Sequence, residues 1–181
     1  RVAQRARVEI AVANMADEVV VFSDDHYVIA PIDELDVPVF HLGSANRYIT
    51  KLLAEGFNPR NTWLAGLRDT TDWLISDGRA GTDPACYAAP APIPFDRQLL
   101  ADALNRYPTD QRLCYPQLYP IAGTGSIGQG GNVKVRTDTE LADKLAYGMP
   151  YLSSGDDAFT TGAVGRHIRQ LFPEPCKYER S

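Results

Sequence analysis

Apolar residues at the start of the chain repeat with the period of an α-helix. Four of them fall at i, i+4, i+7 and i+11, which places them on one stripe of a helix. They are Val8, Val12, Met15 and Val19. Arginines rather than acidic residues crowd the first turn, and no Ser, Thr, Asp or Asn cap precedes the first apolar residue. The pattern predicts a helix over residues 1–18 that continues upstream and whose stripe is covered by a partner.

Two runs rich in β-branched and aromatic residues follow this helix. They are EVVVF at 18–22 and HYVIA at 26–30, and a Ser-Asp-Asp sequence with turn chemistry separates them. The arrangement predicts a β-hairpin. A further short strand is predicted at 37–40, where Pro38 favours an edge position.

Helical periodicity returns after residue 44, with recognisable capping residues. Ser44 and Asn61 are predicted N-caps of two helices that pack as an antiparallel pair, and Thr137 with Glu140 resembles a capping box. The predicted helices span residues 44–57, 61–78, 95–107, 137–147 and 160–172.

The intervening segments are rich in Pro, Gly and Tyr, and include a linker at 79–94, a glycine-rich loop at 123–131 and a loop at 149–159. A short strand is predicted at 132–136. Because strands and helices do not alternate, the sequence predicts an α+β fold. It comprises the N-terminal helix (1–18) and a single mixed domain (19–181), with a small β-sheet, a helical hairpin, further helices and long Pro/Gly-rich loops.

Composition narrows the classes of protein that this chain fits. It has 181 residues, of which 44% are apolar and 23% are charged, as in an ordinary globular domain. A formal charge of -5 argues against nonspecific nucleic-acid binding. The sequence contains no apolar run of the roughly 18–20 residues that a membrane span needs. Any membrane attachment is therefore expected only through a missing upstream segment.

Three cysteines, Cys86, Cys114 and Cys176, lie in irregular segments, and none forms a CxxC pair. A structural zinc site is therefore not expected. Two interpretations stay open. One is a single disulfide, for which Cys114 with Cys176 is preferred because it would tie the C-terminal tail to the body. The other is three free thiols in a reducing compartment.

Several short patterns could carry chemistry, but each has a more ordinary structural interpretation. The sequence GTGSIG at 123–128 matches G-x-G-x-x-G, yet a strand rather than a helix is predicted after it. Ser44 and Asn46 at a helix start could hold an anion, but ordinary capping explains them. Asp156 and Asp157 could contribute to a calcium site, although their spacing fits no EF-hand.

Histidines offer two further candidates. His26 and His41, with the acidic pair Asp24–Asp25, lie at neighbouring strand ends and could meet around a metal ion. Cys114 with His167 is a conceivable nucleophile pair. Turn and packing roles are favoured for all of these residues. The sequence therefore predicts no catalytic residue, no metal site and no cofactor.

Six tyrosines lie in or beside predicted loops, where tyrosine is a frequent interface residue. They are Tyr107, Tyr115, Tyr119, Tyr147, Tyr151 and Tyr178. Covering the domain's own core is the alternative role. Tyr115 and Tyr119, together with the N-terminal stripe, are the predicted interface residues.

These features together favour a non-catalytic structural or assembly subunit that forms oligomers through protein–protein contacts, as in a virion, a pilus or a secretion apparatus. The expected location is extracytoplasmic or at a virion or cell surface. The plan is loosely similar to the soluble part of type IV pilins, although the pilin leader and its glutamate are not in this chain. An enzyme of unrecognised class and a small-ligand binding module remain the alternatives.

Overall fold

Helices surround two small sheets, so the fold is α+β, as the sequence predicts. The computed structural model describes residues 2–14, 16–23, 25–31, 39–124, 133–148 and 150–174. The helices are α1 (Val2–Asn14), α2 (Ala45–Ala54), α3 (Thr62–Ser76), α4 (Arg97–Arg106), α5 (Tyr119–Ala122), α6 (Asp138–Ala146), α7 (Asp156–Thr160) and α8 (Ala163–Leu171). The strands are β1 (Glu18–Val21), β2 (His26–Val28), β3 (Ile93–Asp96), β4 (Lys134–Val135) and β5 (Tyr151–Ser154), and a 3₁₀ turn spans Tyr115–Leu118.

The predicted hairpin between β1 and β2 is wrong, because each strand pairs with a segment far along the chain. β1 pairs with β3 in antiparallel register, with Val19 opposite Phe95. β2 pairs with β5, which lies in the centre of the second sheet and is parallel to β4 on its other side. Phe95 and Leu152 are fully buried. Burying these apolar strands outweighs the local turn signal.

Two segments predicted to be irregular contain regular structure. β3 lies where the Pro-rich linker was expected to continue into a helix, and α4 begins only at Arg97, with Asp96 as its N-cap. β5 and α7 occupy most of the loop predicted at 149–159. Pairing with distant strands stabilises β3 and β5, and α7 packs against α8.

The predicted helix caps are confirmed. The Ser44 side chain accepts a hydrogen bond from the Arg47 N–H, and Asn61 accepts from the first turn of α3. Thr137 and Glu140 form the complete capping box at the start of α6. Gly56 follows α2 with φ of 84°, a left-handed conformation that suits glycine at this position.

The largest hydrophobic cluster joins α1, both strands of the first sheet, α3, α4 and the 115–122 region. Leu100, Leu104 and Tyr107 lie at its centre with Phe95. α1 packs on α4 and adds Val12 to the same cluster. A separate cluster between β4, β5, α6, α7 and α8 supports the second sheet. Of the strand predicted at 37–40, residues 37 and 38 lie outside the described residues, and Val39 and Phe40 are buried.

Candidate functional site

The N-terminal stripe is covered by the chain's own core. Val12 and Val19 are buried in the largest cluster, and Val8 packs partly buried against it. Met15 lies outside the described residues. The helix predicted over residues 1–18 ends at Asn14, and Val19 lies in β1. A partner could reach Val12 only if α1 left the body of the protein. An interface role for this stripe stays a prediction, and this fold gives it no exposed surface at those two positions.

Tyr115 and Tyr119 are also buried in the largest cluster. The Tyr115 hydroxyl lies 3.1 Å from the Ser23 hydroxyl, and the Tyr119 hydroxyl donates to the Thr124 carbonyl at 3.0 Å. The two side chains cover the core under the irregular segment, which is the alternative that the sequence left open. Tyr107 and Tyr151 are buried as well, whereas Tyr147 is 83% exposed. Tyr178 lies outside the described residues.

Cys86 and Cys114 are buried, and neither forms a disulfide with another described residue. Burial raises the pKa of Cys86 to about 11 and that of Cys114 to about 12. Both thiols therefore stay protonated near neutral pH, which is the opposite of what a thiolate nucleophile needs. The structure thus argues against Cys114 and His167 as a nucleophile pair. Because Cys176 lies outside the described residues, its pairing with Cys114 stays a prediction.

Gln117 joins the segments that carry these cysteines. Its fully buried carboxamide accepts a hydrogen bond from the Tyr87 N–H and donates to the Ala85 carbonyl, both at 2.9 Å. One side chain therefore satisfies two backbone groups that flank Cys86, as a neighbouring strand would. These two hydrogen bonds hold the Pro- and Ala-rich segment in place, although it is not part of a regular sheet.

A polar cluster forms where β2, β4 and β5 meet, and it consists of Asp25, His26, Lys134 and Ser153. The Lys134 ammonium lies 2.6 Å from Asp25 Oδ2, and the Ser153 hydroxyl donates to the same oxygen at 2.9 Å. Burial alone would raise the pKa of Asp25, but these two hydrogen bonds outweigh burial and hold it below its ordinary value. Asp25 is therefore ionised at neutral pH and already paired.

The predicted histidine–aspartate metal site is only partly assembled. His26 Nε2 lies 3.8 Å from Asp25 Oδ1. His41 is directed elsewhere, since its Nδ1 accepts the Gly43 N–H and its ring packs against Tyr87. Asp24 lies outside the described residues. Across the described ranges, no three His, Cys, Asp or Glu side chains group as metal ligands.

A cleft of about 230 Å³ lies beside the polar cluster, between β2 and α7. Asp25, Tyr27, Ser154, Asp156, Phe159 and Thr160 line it. The rings of Tyr27 and Phe159 stack in parallel at 5.3 Å. The cleft thus brings together Asp25 and Asp156, which belong to two separate candidate sites in the sequence. It combines carboxylates, hydroxyls and aromatic surface, a mixture that suits a small polar ligand.

The predicted phosphate and anion sites have structural explanations. Gly123 pairs with Phe95, and a Cβ at this position would lie 2.1 Å from the Tyr119 ring, so glycine is needed for packing. Residues 125–132 lie outside the described part of the chain. At the start of α2, the Ser44 hydroxyl donates to the Asp83 carboxylate and accepts the Arg47 N–H, so its hydrogen bonds are those of an ordinary helix cap.

An exposed group of aromatic side chains was not predicted as a site. We call Tyr48, Phe57 and Trp63 the aromatic patch. Trp63 packs edge-on against Phe57 at 6.2 Å and against Tyr48 at 6.5 Å. Phe57 is 41% exposed and Trp63 is 39% exposed. Trp63 lies in the first turn of α3, beyond the part of the helix that is buried.

Three of the four charged residues between positions 44 and 63 are basic. Between α2 and the start of α3, Arg47, Lys51 and Arg60 stand against the single acid Glu55. Lys51 and Glu55 lie 3.8 Å apart, so that pair is neutral overall. The segments that carry the patch therefore have a small net positive charge, in a chain whose formal charge is -5.

Tyr48 is the half-buried member of the patch. Burial raises the pKa of its hydroxyl, and the Glu55 carboxylate adds to the rise.

Comparison with protein-family models, curated proteins and solved structures finds no match to this chain. Within the part that the structure describes, no helix has both the length and the apolar character that crossing a bilayer requires. Support for a function therefore comes from two surface regions of the molecule, the cleft beside the polar cluster and the aromatic patch.

Proposed function

We propose that this chain is a non-catalytic subunit of a larger assembly, of the virion, pilus or secretion type, and that it acts through protein–protein contacts. The aromatic patch is the observation that carries this proposal. Trp and Tyr are enriched among the residues that dominate binding energy at protein interfaces. A contiguous group of them at the surface indicates a contact site more strongly than scattered apolar residues do.

The geometry of the patch suits a stable contact. The three rings pack against one another, so binding would cost them little additional side-chain entropy. Phe57 and Trp63 each expose about two fifths of their surface, which leaves a broad face for a partner. The charged residues around the rings resemble the polar rim of a typical interface.

The polar cluster at Asp25 gives little support for a catalytic function. Asp25 is held by Lys134 and Ser153, and Ser153 is itself fully buried. A nucleophile or general base has to reach its substrate, so these bonds favour a structural role for the cluster. The proposal includes an extracytoplasmic or surface location and protein subunits as partners.

Site-specific photo-crosslinking in the cell of origin tests the proposal. Trp63 is replaced by p-benzoylphenylalanine, which keeps an aromatic side chain, and Phe172, an exposed aromatic residue of the C-terminal region, receives the same replacement as a control. We expect discrete protein adducts from position 63, either with the same chain or with other subunits, and few from position 172. Equal labelling at both positions, or none at position 63, would overturn the proposal.

Small-ligand binding is a second candidate function, and the cleft between β2 and α7 favours it. Two carboxylates, two hydroxyls and two aromatic rings face a volume of about 230 Å³. Thermal unfolding with a panel of small polar metabolites tests this candidate. A ligand of the cleft should raise Tm in the wild-type chain and less in a Thr160→Val variant. A panel with no stabilising compound would count against it.

A further inference from the structure

We infer that a second cavity, beyond the C-terminal end of α3, binds a small aliphatic α-amino acid. The cavity has a volume of about 300 Å³ and lies between the segment that follows α3, one face of α4, and α5. It is lined by Arg79, Leu99, Asp102, Asn105, Arg106 and Ile121. Ligand sites commonly occupy roughly 300–1,000 Å³, so a cavity of this size takes a small ligand.

The cavity is separate from the surfaces described above. Trp63 of the aromatic patch lies in the first turn of α3, whereas Arg79 follows the last turn of the same helix. The 15 residues of α3 extend roughly 22 Å, so the patch and the cavity lie at opposite ends of this helix. The cleft between β2 and α7 has a different set of lining residues. An amino-acid site here is therefore independent of the proposed function, and either can fail without the other.

Two arginines that line the cavity meet at a single carboxylate oxygen. Arg106 Nη1 lies 2.9 Å from Asp77 Oδ2, and Arg79 Nε lies 3.5 Å from the same oxygen. Because one carboxylate serves two guanidinium groups, Nη2 of Arg106 and both Nη atoms of Arg79 have no hydrogen-bond partner among the described residues. Guanidinium groups bind carboxylates through paired N–H donors. The remaining donors therefore suit the carboxylate of a ligand.

Three contacts hold the Arg106 side chain in position. Its Nε donates to the Asp102 carbonyl at 3.3 Å, its Nη1 donates to Asp77, and its Cζ lies 5.9 Å from the centroid of the Trp73 ring. The guanidinium group is therefore oriented before a ligand arrives. Such preorganisation reduces the entropy that binding would otherwise cost.

Asp102 contributes a group of opposite charge to the same cavity. Its Oδ1 accepts a hydrogen bond from Gln98 at 3.0 Å, whereas its Oδ2 has no partner within the ranges that the structure describes. Together with Asp77, this carboxylate balances the charges of the two arginines. A site with separated charges of both signs suits a zwitterion better than a simple anion, because the ammonium group of the ligand can pair with Asp102.

The remaining wall of the cavity is partly aliphatic. Leu99 is 49% exposed, and it precedes Asp102 by three residues and Arg106 by seven, so the three share one face of α4. Ile121 of α5 is partly buried and packs against the main core. The aliphatic side chain of a ligand would remove the exposed surface of Leu99 from water, which favours binding. An inorganic anion would leave that surface exposed.

Titration of the full ¹⁵N-labelled chain with L-leucine, followed by two-dimensional NMR, tests the inference. We expect saturable shifts of the backbone signals of Leu99, Asn105 and Arg106. The compound 4-methylpentanoate lacks the ammonium group of leucine, and 3-methylbutylamine lacks its carboxylate. Each analogue should therefore bind at least tenfold more weakly than leucine, although both keep the aliphatic chain.

Two variants assign the charged contacts to their residues. Arg79→Gln should weaken leucine binding at least tenfold, and its spectrum should stay native-like because the Arg79 side chain is 53% exposed. Asp102→Asn should weaken the binding of leucine but not that of 4-methylpentanoate, which has no ammonium group. Arg68→Gln is the matched control, since the Arg68 side chain is also 53% exposed and also lies beside one aspartate. This control should bind leucine like the wild type.

A wild-type chain without saturable leucine binding would overturn the inference. So would shifts confined to residues away from the cavity, or leucine binding that Arg79→Gln or Asp102→Asn leaves unchanged. Equal affinity for leucine and either analogue would also reject it. Crosslinking at position 63 reports on the aromatic patch alone, so its outcome leaves the assignment of this cavity untouched.

Discussion

Two groups of aromatic residues in this molecule are organised in opposite ways. In the interior, Trp73 packs on Tyr107 at 5.1 Å, and the Tyr107 hydroxyl donates to the Arg112 carbonyl at 2.6 Å. The interior rings therefore have both their apolar faces and their polar ends satisfied within the chain. At the surface, the rings of Phe57 and Trp63 pack on each other but stay about two fifths exposed. The difference indicates that the first group serves stability and the second is available for a partner.

The largest expected effect is a difference in how much the interior and the surface aromatic residues contribute to the free energy of unfolding. Tyr107→Ala should lower the free energy of unfolding by about 3–5 kcal/mol, because it opens a cavity in the main core and removes the hydroxyl that bonds Arg112. Trp63→Ala should cost less than about 2 kcal/mol, because part of its surface is already in water. Urea unfolding followed by circular dichroism measures both. Equal losses would mean that the surface rings are structural as well.

A smaller effect tests how tightly the interior rings are packed. Gly123→Ala should destabilise the fold by about 1–3 kcal/mol, because the new methyl group would displace the Tyr119 ring and strain its bond to Thr124. Gly81→Ala is the control, since a Cβ at that position meets no atom within 4 Å. Thermal unfolding of the two variants should differ clearly. If Gly123→Ala left Tm unchanged, the Tyr119 ring would be loosely packed over the core.

The smallest expected effect concerns the half-buried polar cluster. Its exposure lies between that of the interior and that of the surface aromatic residues. Asp25→Asn should cost about 1 kcal/mol at pH 7, because it weakens the bonds to Lys134 and Ser153. The pKa of Asp25 is lowered in the folded chain, so its ionised form stabilises the fold above the ordinary value of 3.8. This contribution is lost as the pH falls through the folded pKa. Unfolding at pH 7 and pH 3 measures it, and a constant difference between variant and wild type would contradict it.

Local features of the fold could be predicted from the sequence because their causes are local. Ser44, Asn61 and the Thr137–Glu140 pair act on N–H groups within three residues, and all of these caps are present. Strand pairing has no such local cause. The turn residues at 23–25 predicted a hairpin, but β1 and β2 pair with β3 and β5, whose sequences give no indication of their partners.

The same contrast between local and long-range causes applies to the candidate surfaces. Periodicity predicted a helical stripe from Val8 to Val19, but α1 ends at Asn14 and Val19 lies in β1. Nor could periodicity show that the chain's own core covers Val12 and Val19. Trp63 shares the helical spacing of the buried Leu67 and Leu74, yet its position in the first turn of α3 leaves it 39% exposed. Apolar periodicity indicates which face of a helix avoids water, and only the tertiary arrangement shows what lies against that face.

The pairing of β2 with β5 has a consequence for synthesis of the chain. Because His26 pairs with Ser153, this sheet cannot form until most of the protein has left the ribosome. At about 5–20 residues per second, β2 waits roughly 6–25 s for its partner strand. During that interval its backbone edge is open to other nascent chains. Early contact with a holding chaperone is therefore expected to matter more for the yield of folded protein than the final stability of the sheet.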